Sequence, residues 1–175
     1  ADDSTAVGAG ALNALTTGNA NTALGKSALL LNTTGASNTA LGKDALRANT
    51  TGNSNTAIGI DALTENTTGL ENVALGINSL DANSTGNYNT GIGSYTLGSN
   101  TTANYNVAVG YNALNFNTTG TQNVAVGAVS VDANTTGARL TGVGYGALSS
   151  STTATDCTAV GRLALTSNTT GNFNV

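Results

Sequence analysis

A glycine preceded by a small residue and then an aliphatic one recurs at Gly8, Gly25, Gly42, Gly59, Gly76, Gly93, Gly110, Gly127, Gly144 and Gly161. Every interval is 17 residues, with no insertion or deletion. The copies share the pattern N-[TV]-A-[LIV]-G-x-x-A-L-x-x-N-T-T-G-x-x, as in NTALGKSALLLNTTG over 21–35. Ten copies fill residues 4–173, and Asn174-Val175 begin an eleventh. Helical-hairpin repeats need more than about 30 residues per unit. A unit of 17 residues suits one coil of a parallel β-solenoid, and the constant length keeps every coil in one register. The chain is therefore read as a single all-β domain over 1–175, a parallel β-solenoid or β-roll of ten coils, least regular over 138–157.

Each copy supplies two strand candidates and a turn. N-T-A-L-G is stopped by glycine, x-A-L-x offers a second short strand, and N-T-T-G carries turn chemistry. The helical look of Lys26–Leu31 disappears once the window is as long as the period. Stacking at about 4.8 Å per coil predicts a rod roughly 45–50 Å long, with like residues over like. The first asparagine forms one ladder: Asn21, Asn38, Asn55, Asn72, Asn89, Asn106 and Asn123. The second runs through Asn32, Asn49, Asn66, Asn83, Asn100, Asn117 and Asn134 and resumes at Asn168. Stacked amides bond along the axis, as in cross-β assemblies.

Composition explains why stacking has to supply the order. Charged residues are 8% and aromatics 4%, with no Pro, Met, Trp or His, so a core of large side chains is excluded. A net charge of −4 and five Lys+Arg argue against nucleic acid. No apolar run approaches a membrane span, so no membrane insertion is expected. The opening residues ADDST have neither the basic nor the apolar region of a secretory signal.

Strand neighbours point to opposite faces, yet two adjacent positions are apolar in most copies. Ala23, Ala40, Ala57, Ala74, Ala108 and Ala125 form one stripe. Leu24, Leu41, Ile58, Leu75, Ile92, Val109, Val126, Val143 and Val160 form the other, a core or oligomer stripe. The pairs Ala28/Leu29 and Ala45/Leu46 repeat the arrangement on the second strand candidate. Strands apolar on both faces call for a second packing surface, so a homo-oligomer is expected. Uncapped strand edges suggest head-to-tail stacking into a filament or continuation in a longer chain, with Asp2 and Asp3 the one candidate cap.

The N-[TV]-A-[LIV]-G-x-x-A core resembles the head repeats of trimeric autotransporter adhesins. The longer copies, NTTGNSNTAIGIDAL at 49–63 and NTTGTQNVAVGAVSV at 117–131, resemble repeats of phage tail fibres and bacterial surface proteins. The resemblance covers essentially the whole chain. It implies an extracellular, cell-surface or virion fibre segment that trimerises, with cell-surface glycan as a candidate ligand.

Catalytic chemistry finds little support: with no His, acid–base work falls to carboxylates, Lys, Tyr or Cys157. Asp44 and Asp61 share a column and are read as solvated turn carboxylates beside Lys26 and Lys43, so no metal and no cofactor are expected. Cys157 shares the first asparagine column with Leu140, which suggests an apolar pair in place of two amides. Ser151 and Ala154 break the second asparagine and the turn glycine nearby. The Thr33, Thr50, Thr67, Thr101, Thr118 and Thr135 ladder, with the threonine that follows each, offers an outward threonine array of the kind ice-binding solenoids use. Tyr88 and Tyr105, adjacent in one column, are candidate ligand contacts or a mutually stacked pair. The N-T-T and N-S-T triplets match glycosylation acceptors but are forced by the repeat. The expectation is a non-enzymatic structural fibre or filament segment, with a ligand-binding solenoid, for ice or glycan, as the alternative.

Overall fold

The computed structural model describes residues 3–175. Ten three-residue strands, from β1 (Thr5–Val7) to β10 (Thr158–Val160), form one parallel sheet in sequence order. Partners lie 17 residues apart at every step, for example Thr22↔Thr39, Ala23↔Ala40 and Leu24↔Leu41. Asp2 lies outside the described residues, whereas Asp3 is exposed.

Each coil contains one strand, not two. The x-A-L-x segment forms a run of turns, because alternate residues there have positive φ: Ser27 at 58° and Leu29 at 52°. Their equivalents repeat this along the rod, as at Asp44 and Leu46 or Asp61 and Leu63. An extended segment would send Ala28 and Leu29 to opposite faces. The left-handed conformation at Leu29 breaks that alternation, and both side chains are fully buried. The second outward apolar stripe expected from the sequence is therefore absent, and Leu29, Leu46, Leu63, Leu80 and Leu97 fill the interior.

Axial bonding nevertheless continues around the coil. In the strand, Thr22 N–H donates to Asn38 O at 2.8 Å. In the turns, Leu29 N–H donates to Ala45 O at 3.0 Å and Thr33 N–H to Thr50 O at 3.0 Å. On the remaining side, Ser37 N–H donates back to Asn19 O at 3.0 Å. Turns are thus held to neighbouring coils much as strands are, which makes a constant coil length obligatory. The motif glycine marks the corner after the strand. Gly59 has φ +141°, and a Cβ there would stand 2.5 Å from Gly76 O, so neither the backbone nor the next coil admits a side chain.

The two asparagine columns line the interior and converge on the turn carbonyl. Gly52 O accepts from Asn38 Nδ2 at 2.8 Å and from Asn49 Nδ2 at 3.0 Å. In the first column, Asn38 N–H donates to Asn21 Oδ1 at 3.0 Å. In the second, Asn49 Nδ2 donates to Asn32 Oδ1 at 2.8 Å. These amides are fully buried, so the repeated N-x-[ST] triplets up to Asn134 are structural.

Both columns fail in the same coil. Leu140 replaces the first asparagine, and its N–H still donates to Asn123 Oδ1 at 2.9 Å. One coil on, Cys157 is buried and its thiol donates to Gly171 O at 3.1 Å, the role an Asn Nδ2 has elsewhere. Ser151 is too short to continue the second column, so its buried Oγ has no partner and Asn134 Oδ1 accepts Gly137 N–H instead.

A second set of exceptions is compensatory. Where Ser79 and Thr96 replace the buried alanine, the strand residue beside them is Gly91, and Ser79 Oγ donates to Gly91 O at 3.1 Å. Ser130 and Gly142 repeat the pairing at 3.0 Å. A Cβ on Gly91 would lie 2.6 Å from Ser79 Oγ and 2.8 Å from Thr96 Oγ1. The hydroxyls occupy the volume that the alanine methyl fills in other coils.

Two stability measurements follow. Asn72→Ala removes two donors and an acceptor that serve Asn55, Gly86 and Asn89. It should lower guanidinium stability by about 2–4 kcal/mol, because buried partners are left unpaired. Thr68→Ala, on the exposed turn, should stay within about 0.5 kcal/mol. Gly91→Ala should cost about 1–3 kcal/mol through overpacking, and adding Ser79→Ala and Thr96→Ala should restore most of the loss.

Candidate functional site: an uncharged outer sheet face

With the interior filled, the exterior is what remains for function. Along each strand the central Ala or Gly points inward and the flanking residues point outward. The outer face therefore carries two columns. One is Thr or Val, as at Thr22, Thr39, Thr56, Val73 and Thr90. The other is the aliphatic stripe predicted from the sequence. Leu24, Leu41 and Leu75 are 46%, 41% and 42% exposed, and Val160 is 70% exposed. None of the five Lys/Arg or nine Asp/Glu side chains falls in either column. The strip is uncharged, half hydroxyl-bearing and half aliphatic, and its aliphatic half is the larger exposed apolar surface of the rod.

Charges lie at the corners on either side of the strand and in the x-A-L-x turns, while the Thr-Thr-Gly turn is uncharged like the sheet face. Lys43 Nζ lies 2.6 Å from Asp44 Oδ2, and this contact, with Asp61 nearby, holds the Lys43 ammonium above its ordinary pKa. Arg47 pairs with Glu65 at 3.2 Å and Arg139 with Asp156 at 2.6 Å. The Arg139 hydrogen bond lowers the Asp156 carboxyl, although the pair is exposed and screened. Asp81 and Asp132 behave oppositely: burial raises both carboxyls, and Asp132 Oδ1 is buried with no partner. Asp44 and Asp61 do not assemble into a centre. Among the described residues no group of three or more His, Cys, Asp or Glu converges, and no cavity opens.

The two ligand arrays read from the sequence are altered by the geometry. Thr33, Thr50 and Thr67 donate their hydroxyls to carbonyls of the next coil, at 3.0 Å each. That column is structural, whereas the following threonines Thr34, Thr51 and Thr68 are exposed and have no side-chain hydrogen bond among the described residues. The strand threonines Thr39, Thr56 and Thr90, which sequence reading passed over, have no side-chain hydrogen bond among the described residues. A Thr-x-[LIV] pattern would have revealed them. Tyr88 and Tyr105 stack on each other with centroids 5.1 Å apart and planes 2° from parallel. Each ring thus has one face occupied by the other, and their column neighbours are Glu71 and Gln122.

Against known proteins, no family model, no curated sequence and no solved structure matches this chain. The likeness to adhesin heads and tail fibres rests on the repeat motif alone.

Asp132 supplies a pH test with a definite sign. A folded-state carboxyl raised by burial contributes stability below its unfolded pKa, and that contribution is lost as pH rises through the folded value. Asp132→Asn should therefore raise the melting temperature at pH 7 by about 1–3 °C. The gain should shrink as pH falls through the raised folded value and vanish by about pH 3, below the ordinary Asp pKa of about 3.9, where Asp132 is protonated in both states. Melting curves over this range, at fixed salt, measure the difference.

Proposed function

We propose that this chain is a structural repeat module, a stiff rod segment of an extracellular fibre on a cell surface or virion, with no catalytic role. The observation that carries the reading is the pair of buried amide columns running through consecutive coils under in-register backbone pairing. Such an interior is devoted to holding one coil on the next. Its geometry accepts further coils of the same period indefinitely, in the same chain or in a neighbour stacked end to end. The motif resemblance to adhesin heads and tail fibres supports the extracellular placement.

Electron microscopy of the purified chain should show straight rods about 45–50 Å long, or integer multiples of that length where ends stack. Compact particles with no rod axis would remove the rod reading, and single-length rods at high concentration would remove end-to-end stacking. Antibody raised against the chain should label fibres on intact source cells or particles. Labelling that appears only after permeabilisation would defeat the extracellular placement.

A further inference from the structure

We infer that the outer sheet face docks onto the same face of a second copy of this chain, with the two rods antiparallel. The inference rests on the rod reading and names the partner of its uncovered face. Two sides of the coil are charge-free, the sheet face and the Thr-Thr-Gly turn, and only the sheet face carries an unbroken exposed aliphatic column; that single apolar face is self-complementary under a twofold axis. A threefold ring needs two different contact surfaces on each protomer.

The arrangement of the columns selects the direction. Viewed from outside, the threonine column lies on one side of the strip and the aliphatic column on the other. If two rods met in parallel, or three met around a common axis, each aliphatic column would oppose a neighbour's threonine column. A twofold axis lying in the interface and across the rods instead sets aliphatic against aliphatic and threonine against threonine. Only this arrangement removes the Leu24-to-Val160 stripe from water without covering it by hydroxyls.

Full overlap places the coil of Thr22 opposite the coil of Thr141, and the coil of Leu75 opposite that of Ile92. Along the rim beside the aliphatic column, it brings Lys26 opposite Tyr145 and Lys43 opposite Ala128. Arg162 then faces Ala9, so no cation meets another.

Area fits the same partner. Ten coils at about 4.8 Å and three residues at about 3.3 Å give a face of roughly 480 Å², or about 960 Å² for a pair. Specific interfaces begin near 1,000 Å², so a ten-coil chain stands at the foot of that range and each further coil adds about 100 Å². Lateral pairing is thus weak in this chain and strengthens with rod length.

Sedimentation of the full chain tests the stoichiometry. The expected result is a monomer–dimer equilibrium with a dissociation constant of about 10–100 μM. Leu75→Glu, exposed in the monomer, should weaken pairing at least 10-fold while leaving the circular dichroism spectrum unchanged. Thr68→Glu, on another side of the coil, should leave pairing intact. For direction, Thr22→Cys and Thr141→Cys proteins are mixed and treated with a short bismaleimide. Buried Cys157 should not compete, and unsubstituted protein should give no product. The mixture should cross-link to a heterodimer and Thr22→Cys alone should not.

A trimer, a dimer insensitive to Leu75→Glu, or cross-linking of Thr22→Cys to itself would overturn the proposal. So would a chain that remains monomeric at millimolar concentration, and thermal hysteresis from that monomer would assign the face to ice. Rod length in the microscope is independent of all these outcomes, so failure here leaves the rod reading separately testable.

Discussion

Axial hydrogen bonding between coils of equal length is the constraint on which the rest of the molecule depends. Aromatics are 4% of the chain, and the interior is built from alanine, one leucine per coil and two asparagines. Burying so many amides would be unfavourable if each were judged alone. Here the repeat makes each asparagine both donor and acceptor to an identical neighbour, and the turn carbonyl Gly52 O takes a bond from each column. Polar satisfaction and stacking are consequently one requirement. An insertion in any coil would break the side-chain columns and the backbone ladder together.

The buried leucines show the same logic in a less favourable setting. A non-glycine residue in the left-handed region costs about 1–2 kcal/mol, and nearly every coil places a leucine there. Full burial of a leucine contributes about 1.5–3 kcal/mol, so the net gain per coil is small. Glycine would relieve the backbone but leave the interior empty. What the leucine secures is a turn that directs two consecutive apolar side chains inward, which an extended segment cannot do. Val131 is the costliest version, since a β-branched residue at φ 52° is a rarer state still. The adjacent Gly142 leaves room for its methyl, because a Cβ there would stand 2.5 Å from Val131 Cγ2.

This explains which features could be read in advance. The period, the parallel sheet and the amide columns follow from recurrence at a fixed interval, which needs no knowledge of backbone angles. The outward Leu24 stripe was legible for the same reason, as was the inward position of Leu140 and Cys157. The absence of a second strand is not legible in the sequence, because positive φ at Ser27 and Leu29 suspends the alternation that the x-A-L-x pattern implies. Which threonines keep a free hydroxyl is not legible in the sequence, because Thr33 and its equivalents recur as visibly as Thr34 and Thr39 and differ only in donating to the next coil. The exchange of Ala for Gly at Gly91 and Gly142 was present in the sequence. It acquires meaning only when Ser79 and Ser130 are seen one coil away, since the contact is axial and invisible to a linear scan.

A filled, self-satisfied interior directs any function to the outside, and the outside is not uniform. Charges and aromatics change from coil to coil on the turn sides, as Lys43 gives way to Ile60 and later Tyr111 in a single column. The sheet face does not change in this way: Val replaces Thr in one column, and Leu, Ile and Val interchange in the other. Thr, Val, Leu and Ile at these positions all suit a pleated parallel ladder, which admits exchange among them. The coil of Leu140 and Ser151 abandons both amide columns and yet keeps Thr141 and Val143 on the outer face. The amide columns lapse in that coil while the parallel ladder through Thr141 and Val143 continues, so backbone pairing holds the stack where the side-chain columns do not.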